Sequence, residues 1–458
     1  MQLPELFVER MRRELGEQEA ALLCEALVSE PSTSVRLNPW KMTEPQWPSD
    51  KVAWSRDGYS LHERPNFTLD PAFHAGAYYV QEASSQFAGY IMAQAVGGRE
   101  RCEGLRVLDM CAAPGGKSTH YASLVGLSGL VVANEINRSR AAVLADNARK
   151  WGLGNMVITC NDSSRVAEFE QWFDVVAVDA PCSGEGMFRK SEDACEQWSE
   201  ANVKMCAERQ WEIVQNAFAA LRPGGVLIYS TCTFNREEDE ALVGRICEEY
   251  GDELEAVDAI HVSDEWGAVV GREGVFQTFR FFPHRVKGEG MFMAVARKQG
   301  LPTSRRRAPK SRREVITAVD KQAVKELSRW VMEPEQMRFF AAGEMLYACR
   351  DEHYDEIKAL SSRLAVIYSG VAMGQIFKNK LKPDGALAFF VGLNREVLPA
   401  CELPLEEALQ FLRKQDMAPG EFTEGLNLVL YEGRALGFVK RVGGRVNNMY
   451  SSSLRILK

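Results

Sequence analysis

Five short apolar runs, spaced by segments of helix length, constrain this chain most. They are Leu105 to Met110 (LRVLDM), Leu130 to Glu135 (LVVANE), Met156 to Cys160, Val175 to Val178 and Val226 to Ser230. Helices are predicted between them. One covers Arg138 to Trp151, with Ala141, Leu144, Ala145 and Ala148 on one side. Another covers Cys206 to Leu221 and is closed by the RPGG turn. Short apolar strands alternating with helices mean an α/β fold with a doubly wound, mostly parallel sheet. Phe279 to Arg297 then predicts an antiparallel ending, with FMAVARK as a further strand.

Such sheets bind ligands at the carboxyl edge of their strands. The residues that close each run are therefore the candidates. The fourth run leads into DAPCSGEGMFRK, Asp179 to Lys190, and the fifth into STCT, Ser230 to Thr233. Pro181 fixes a turn, and Gly184 and Gly186 let backbone pass close to a ligand. Each strand end presents a thiol, Cys182 and Cys232, and neighbouring strand ends bring both to one pocket. A single cysteine beside a strand is usually a small buried hydrophobe; two at the same edge favour chemistry.

The loop after the first strand sets the cofactor class. DMCAAPGGKST lacks the G-x-G-x-x-G spacing of a dinucleotide site and the spacing of a P-loop. Its small residues, Ala112, Ala113, Gly115 and Gly116, still let a ligand lie against the backbone. Glu135, closing the second strand, suits a ribose diol, and Asp162, after the third, suits an adenine amino group. Acids for a ribose and a base, without a pyrophosphate cradle, point to S-adenosylmethionine.

Length and charge organise the rest. At 458 residues the chain exceeds a single core. A small leading module is expected over residues 1–75, with Leu6, Phe7, Met11 and Leu15 at helical spacing and no evident chemistry. Residues 76–300 hold the sheet. A basic linker follows over 301–314, TSRRRAPKSRR at its centre, either a solvated tether or a phosphate-contacting arm. In the C-terminal region, 315–458, a mainly helical stretch to about Leu360 precedes a strand-rich one with turns at Gly370, Gly374, Gly385 and Gly433. Lys440, Arg441 and Arg445 around Gly443 and Gly444 make either an exposed basic hairpin or a phosphate contact. Eleven cysteines without a CxxC pair argue against a disulfide framework and a structural zinc site. No apolar run is long enough to span a bilayer and no signal peptide is evident, so a cytoplasmic protein is expected. The net charge of −8 argues mildly against non-specific nucleic-acid binding.

Four motifs in order, YVQEASS (Tyr79 to Ser85), VLDMCAAPGGKS (Val107 to Ser118), DAPCSGEGMFRK and STCT, resemble the Nol–Nop–Sun family of RNA cytosine-C5 methyltransferases. SVRLNP (Ser34 to Pro39) carries the likeness into the leading module. LKPDGALAF (Leu381 to Phe389) and the final KRVGGRVNN resemble the C-terminal region of its bacterial ribosomal type, which implies a PUA-like, RNA-binding end. The resemblance implies a methyltransferase-type sheet and a cofactor site at Cys111, Ala112, Ala113, Pro114, Gly115, Gly116, Lys117, Glu135, Arg140, Asp162 and Asp179. It implies Cys232 as nucleophile and Cys182 as the thiol that helps release product. Lys117 is either a loop-holding ion-pair partner or an active-site group. Asp179 is expected to donate to ring nitrogen 3 of the base, which requires its pKa to be raised by burial. The expected substrate is flipped-out or single-stranded RNA, in the small ribosomal subunit. The same chemistry on transfer RNA, or a non-catalytic assembly factor, are the alternatives. A monomer without a metal is expected.

Overall fold

The computed structural model describes residues 2–301 and 314–457. The arginines of the basic linker lie outside the described residues. At the centre is a ten-stranded mixed sheet. Its parallel strands are β1 (Arg106–Asp109), β2 (Leu130–Asn134), β3 (Met156–Thr159), β4 (Phe173–Asp179) and β5 (Leu221–Thr231). Three antiparallel strands extend the β5 side: β6 (Val269–Glu273), β7 (Phe276–Phe281) and β8 (Met291–Lys298). The order is β6-β7-β8-β5-β4-β1-β2-β3, and Val366–Ser369, here β9, pairs antiparallel with β3 at the far edge. The tenth strand, Leu254–Glu255, pairs with β8 off this path.

The apolar runs became central strands because both faces of the sheet are covered. Val107, Leu108, Val131, Val132, Val175 and Val176 are all at most 1 % exposed, and full burial of such side chains is worth about 1.5–3 kcal/mol each. Helices α1 (Ala83–Ala95), α2 (Gly116–Leu124), α3 (Arg138–Trp151) and α4 (Glu200–Ala220) do the covering. The chain leaves β1 towards β2 and returns through β4 on its other side. This reversal opens a crevice over the carboxyl ends of β1 and β4.

Two segments differ from expectation. The stretch from Val315 to Leu360 is not mainly helical: it holds the strands Ile316–Ala318, Met337–Ala342 and Met345–Arg350 besides two helices. Gly343-Glu344 between two apolar runs is a hairpin signal, and pairing overrode local helix preference. Gly385 is no turn but opens the helix Gly385–Phe389, capped by Asp384, and Gly374 lies inside the strand Val371–Phe377. Gly370 and Gly433 lie between strands, as expected.

The turn read as a phosphate contact is largely self-satisfied. Gly443 N–H donates to the Glu424 carboxylate at 3.0 Å, and Arg441 donates to the carbonyls of Gly443 and Phe422. Lys440 and Arg445 remain exposed.

Candidate active site

All five parallel strands deliver polar residues to one cavity of about 1180 Å³. Asp109 closes β1, and Cys111 to Pro114, Gly116 and Lys117 follow it. Asn134 and Glu135 close β2, and Asp162 follows β3. Asp179 ends β4 with Cys182 just beyond, and Cys232 follows β5. Of the catalytic and cofactor-binding residues expected from sequence, Gly115 alone is absent from the cavity wall. Its part is conformational: φ is +113°, and a β-carbon there would lie 2.9 Å from Leu144 Cδ1.

The thiols of Cys182 and Cys232 are 3.2 Å apart, each partly exposed to the cavity. Their loops interlock. Gly186 N–H donates to the Cys232 carbonyl at 2.7 Å, and a β-carbon on Gly186 would meet that same oxygen. Two buried carboxylates brace the loops in opposite directions. Glu185 accepts from the backbone N–H groups of Phe234 and Asn235, and Glu238 accepts from Ser183 N–H and Gln210. The hydrogen bond to Cys232 and burial together hold the Cys182 thiol well above its usual pKa. Burial, with Asp109, Asp179 and Glu135 nearby, does the same to Cys111, so its thiol stays protonated.

Lys117 Nζ is 2.8 Å from Asp179 Oδ2, and Ser230 Oγ donates to Asp179 Oδ1 at 2.9 Å. Burial opposes the lysine's charge, but Asp179 outweighs it and raises the Lys117 pKa, so it is a cation. Both readings of Lys117 therefore meet in one residue: it is an ion-pair partner, and it lies inside the cavity. Arg140 bridges two parts of the wall, donating to the Ala113 carbonyl at 2.8 Å while lying 3.6 Å from Glu135. Glu135 is 3 % exposed and accepts from Asn137 N–H. Asp162 caps a short helix through Ser164, whose hydrogen bonds lower its pKa.

Sequence reasoning missed three contributions. Asp109 is 1 % exposed, accepts from Ser118 at 2.6 Å with one oxygen, and has no partner for the other, Oδ1. Burial pushes it up to about 7. Its place at the first strand's end was the available signal. The second is the leading module, which is not chemically idle. Arg36 in SVRLNP is 1 % exposed, donates to Gln81, the Gly116 carbonyl and Thr119, and stacks 4.6 Å over Trp151. It thus grips the loop that forms one wall. The third is Phe7 on the helix Glu5–Leu15, which packs edge-on against Phe188, 5.0 Å away in the Cys182 loop. Polar and aromatic residues distant in sequence gave no local pattern that links them to the site.

Comparison with known proteins agrees with this geometry. Residues 100–297 match the family model described as 16S rRNA methyltransferase RsmB/F. Residues 3–83 match the N-terminal domain of 16S rRNA methyltransferase RsmF, and 399–456 match the methyltransferase RsmF PUA domain. A ribosomal RNA small subunit methyltransferase F from Erwinia tasmaniensis is 31 % identical, over 92 % of this chain and 90 % of the relative. One from Aeromonas salmonicida is 31 % identical, over 88 % and 84 %. A solved methyltransferase homolog from Pyrococcus horikoshii superposes with a TM-score of 0.53 at 25 % identity, covering 64 % of this chain and 95 % of that one. NSun6 from the same organism, solved with SFG, shares the fold with a TM-score of 0.53 at 19 % identity, over 65 % and 98 %. Strand order, the cavity at the sheet's carboxyl edge and these relatives agree, and the chain belongs to the RsmF family of 16S rRNA methyltransferases.

Proposed function

We propose that this protein methylates carbon 5 of a cytidine in 16S ribosomal RNA, in the cytoplasm, with S-adenosylmethionine as donor and Cys232 as nucleophile. The observation that carries this reading is the thiol pair at 3.2 Å, in one cavity with the Lys117–Asp179 pair. The wall also fits the cofactor. Asp109 Oδ1 is a buried acceptor without a partner, suited to an ammonium, and Glu135 is a buried carboxylate suited to a diol. The loop from Cys111 to Lys117, with Arg140 and Asp162, completes that side. Bound there, S-adenosylmethionine supplies an electrophilic methyl group.

The chain's own residues do the rest. Carbon 5 of cytosine is a weak nucleophile, and a thiolate adding to carbon 6 turns the ring into an enamine. The likeness of STCT and APCS to the family's motifs assigns the attack to Cys232 and the release to Cys182, and the raised Cys182 pKa accords with that order. Asp179, 34 % exposed and paired with the Lys117 ammonium, is not the buried acid expected from the sequence; the proton for ring nitrogen 3 comes instead from the Lys117 ammonium through this pair, and it returns there when the ring reforms. Once Cys232 is bonded to carbon, its hydrogen bond no longer holds up the Cys182 pKa. Cys182 then gives up its own proton to solvent at the open cavity and, as a thiolate, takes the carbon-5 proton, while Cys232 leaves as a thiolate and the double bond reforms. The base enters the cavity only when unstacked.

The test is incubation with labelled S-adenosylmethionine and, in parallel, 16S RNA, assembled small subunits and transfer RNA, followed by base-resolution mapping. Label in 5-methylcytidine of 16S RNA supports the reading. Label confined to transfer RNA, or in another base, overturns it.

A further inference from the structure

The strand Val371–Phe377 turns back into Lys380–Pro383 through Lys378 and Asn379. Both turn residues are left-handed, with φ of +49° and +65°. An asparagine–glycine pair takes that turn most readily; a lysine at the first position is disfavoured by its β-carbon. Phe377, just before the turn, is 68 % exposed. Lys378 Nζ lies 5.5 Å from its ring centroid. Lys378, Lys380 and Lys382 are exposed, and none forms an ion pair among the described residues. The tip thus sets an exposed aromatic ring beside the Lys378 ammonium, with Lys380 in register with Phe377 and Lys382 with Gln375 across the hairpin.

A groove of about 550 Å³ runs beside it, with Gln322, Gln375 and Asn379 in its wall. The two acids there are engaged: Asp320 caps a helix through Ala323 N–H, and Glu344 accepts from Gln375 at 3.3 Å. Cations that track a phosphate backbone, a stacking ring, and amides within reach of base edges are what single-stranded nucleic acid binds. A protein partner would favour covering the ring with apolar surface, and the three lysines of the same hairpin oppose that.

We propose that this hairpin tip binds single-stranded RNA flanking the methylation target, with Phe377 stacked on an unpaired base and the three lysines on neighbouring phosphates. The proposal rests on the reading of the chain as an RNA methyltransferase. It is a site separate from the catalytic cavity and from the Lys440–Arg445 turn.

The test uses the full-length chain and two variants, Phe377→Ala and the triple Lys378→Gln, Lys380→Gln, Lys382→Gln. Binding to naked 16S RNA fragments is measured from about 50 to 250 mM salt, with S-adenosylmethionine affinity and turnover at saturating RNA as controls. The triple variant should flatten the slope of log affinity against log salt by about 2, at roughly 0.7 per lost phosphate contact. Phe377→Ala should weaken binding about tenfold with the slope kept. Both should retain cofactor affinity and saturated turnover. Unchanged RNA affinity and slope in both variants of an active enzyme overturn the proposal. A defect only on assembled subunits also overturns it, in favour of a ribosomal protein contact. Wild-type RNA binding with the expected slope loss, but no methylation, supports the hairpin and contradicts the activity instead.

Discussion

Arg36 offers the sharpest test of how the leading module serves the site. Its guanidinium donates to three acceptors, two of them, Gly116 and Thr119, on the loop and helix that wall the cofactor side. Hydrogen bonds from a charged donor are worth about 2 kcal/mol each, and stacking over Trp151 adds roughly 2 kcal/mol in a desolvated setting. The sum of roughly 8 kcal/mol is an upper bound, because the guanidinium is fully desolvated, and burial lowers its pKa to about 9. Breaking such a buried network by Arg36→Met should destabilise the protein by about 3 kcal/mol. Loss of the grip on Gly116 should also loosen the loop and weaken S-adenosylmethionine binding about tenfold. Arg36→Lys keeps the charge without the fork and should fall between. Chemical denaturation and calorimetric titration read the two effects. An Arg36→Met protein with wild-type stability and cofactor affinity would refute the reasoning.

Three further outcomes follow from the same geometry. Glu135→Ala should weaken cofactor binding by about 1–3 kcal/mol in calorimetry, the cost of losing a charged hydrogen bond; unchanged affinity contradicts its role. Burial raises the Asp109 pKa to about 7, well above the usual carboxylate range, so its protonated form stabilises the free protein fully below about 4 and that contribution is lost as pH rises through 7. A cation bound at Oδ1 favours the carboxylate, so affinity for S-adenosylmethionine should rise from pH 6 to 8, and Asp109→Asn should abolish that dependence. Removing residues 301–458 strips β9 from the sheet and bares the edge of β3, so the truncated chain should melt lower and aggregate on sizing columns; a monodisperse, equally stable fragment contradicts this.

The sheet was legible because its central strands are buried on both faces, which forces apolar runs such as Val175 to Val178 into the sequence. The site was legible for the same topological reason: Asp179 ends a strand, Glu135, Asp162, Cys182 and Cys232 follow one, and strand ends converge. Contacts between distant segments were not legible. Nothing near Arg36 announces Gly116, and nothing near Phe7 announces Phe188, because tertiary packing chooses those partners. The β9 strand was hidden likewise, since its pairing with Met156–Thr159 spans some two hundred residues and adds an edge no local pattern requires. The helical reading of residues 315–360 failed where strand pairing across Gly343 won over local preference.

The division of labour between the two thiols is the central claim, and one gel tests it. In the proposed mechanism Cys232 attacks carbon 6, and Cys182, 3.2 Å away, takes the carbon-5 proton that lets Cys232 leave. Wild type, Cys182→Ala, Cys232→Ala and the double variant are incubated with 16S RNA and S-adenosylmethionine, then run under denaturing conditions. Cys182→Ala should accumulate a covalent protein–RNA complex, because attack and transfer proceed while elimination stalls. Cys232→Ala and the double variant should form none. A complex trapped by Cys232→Ala and absent with Cys182→Ala would contradict the account and make Cys182 the nucleophile.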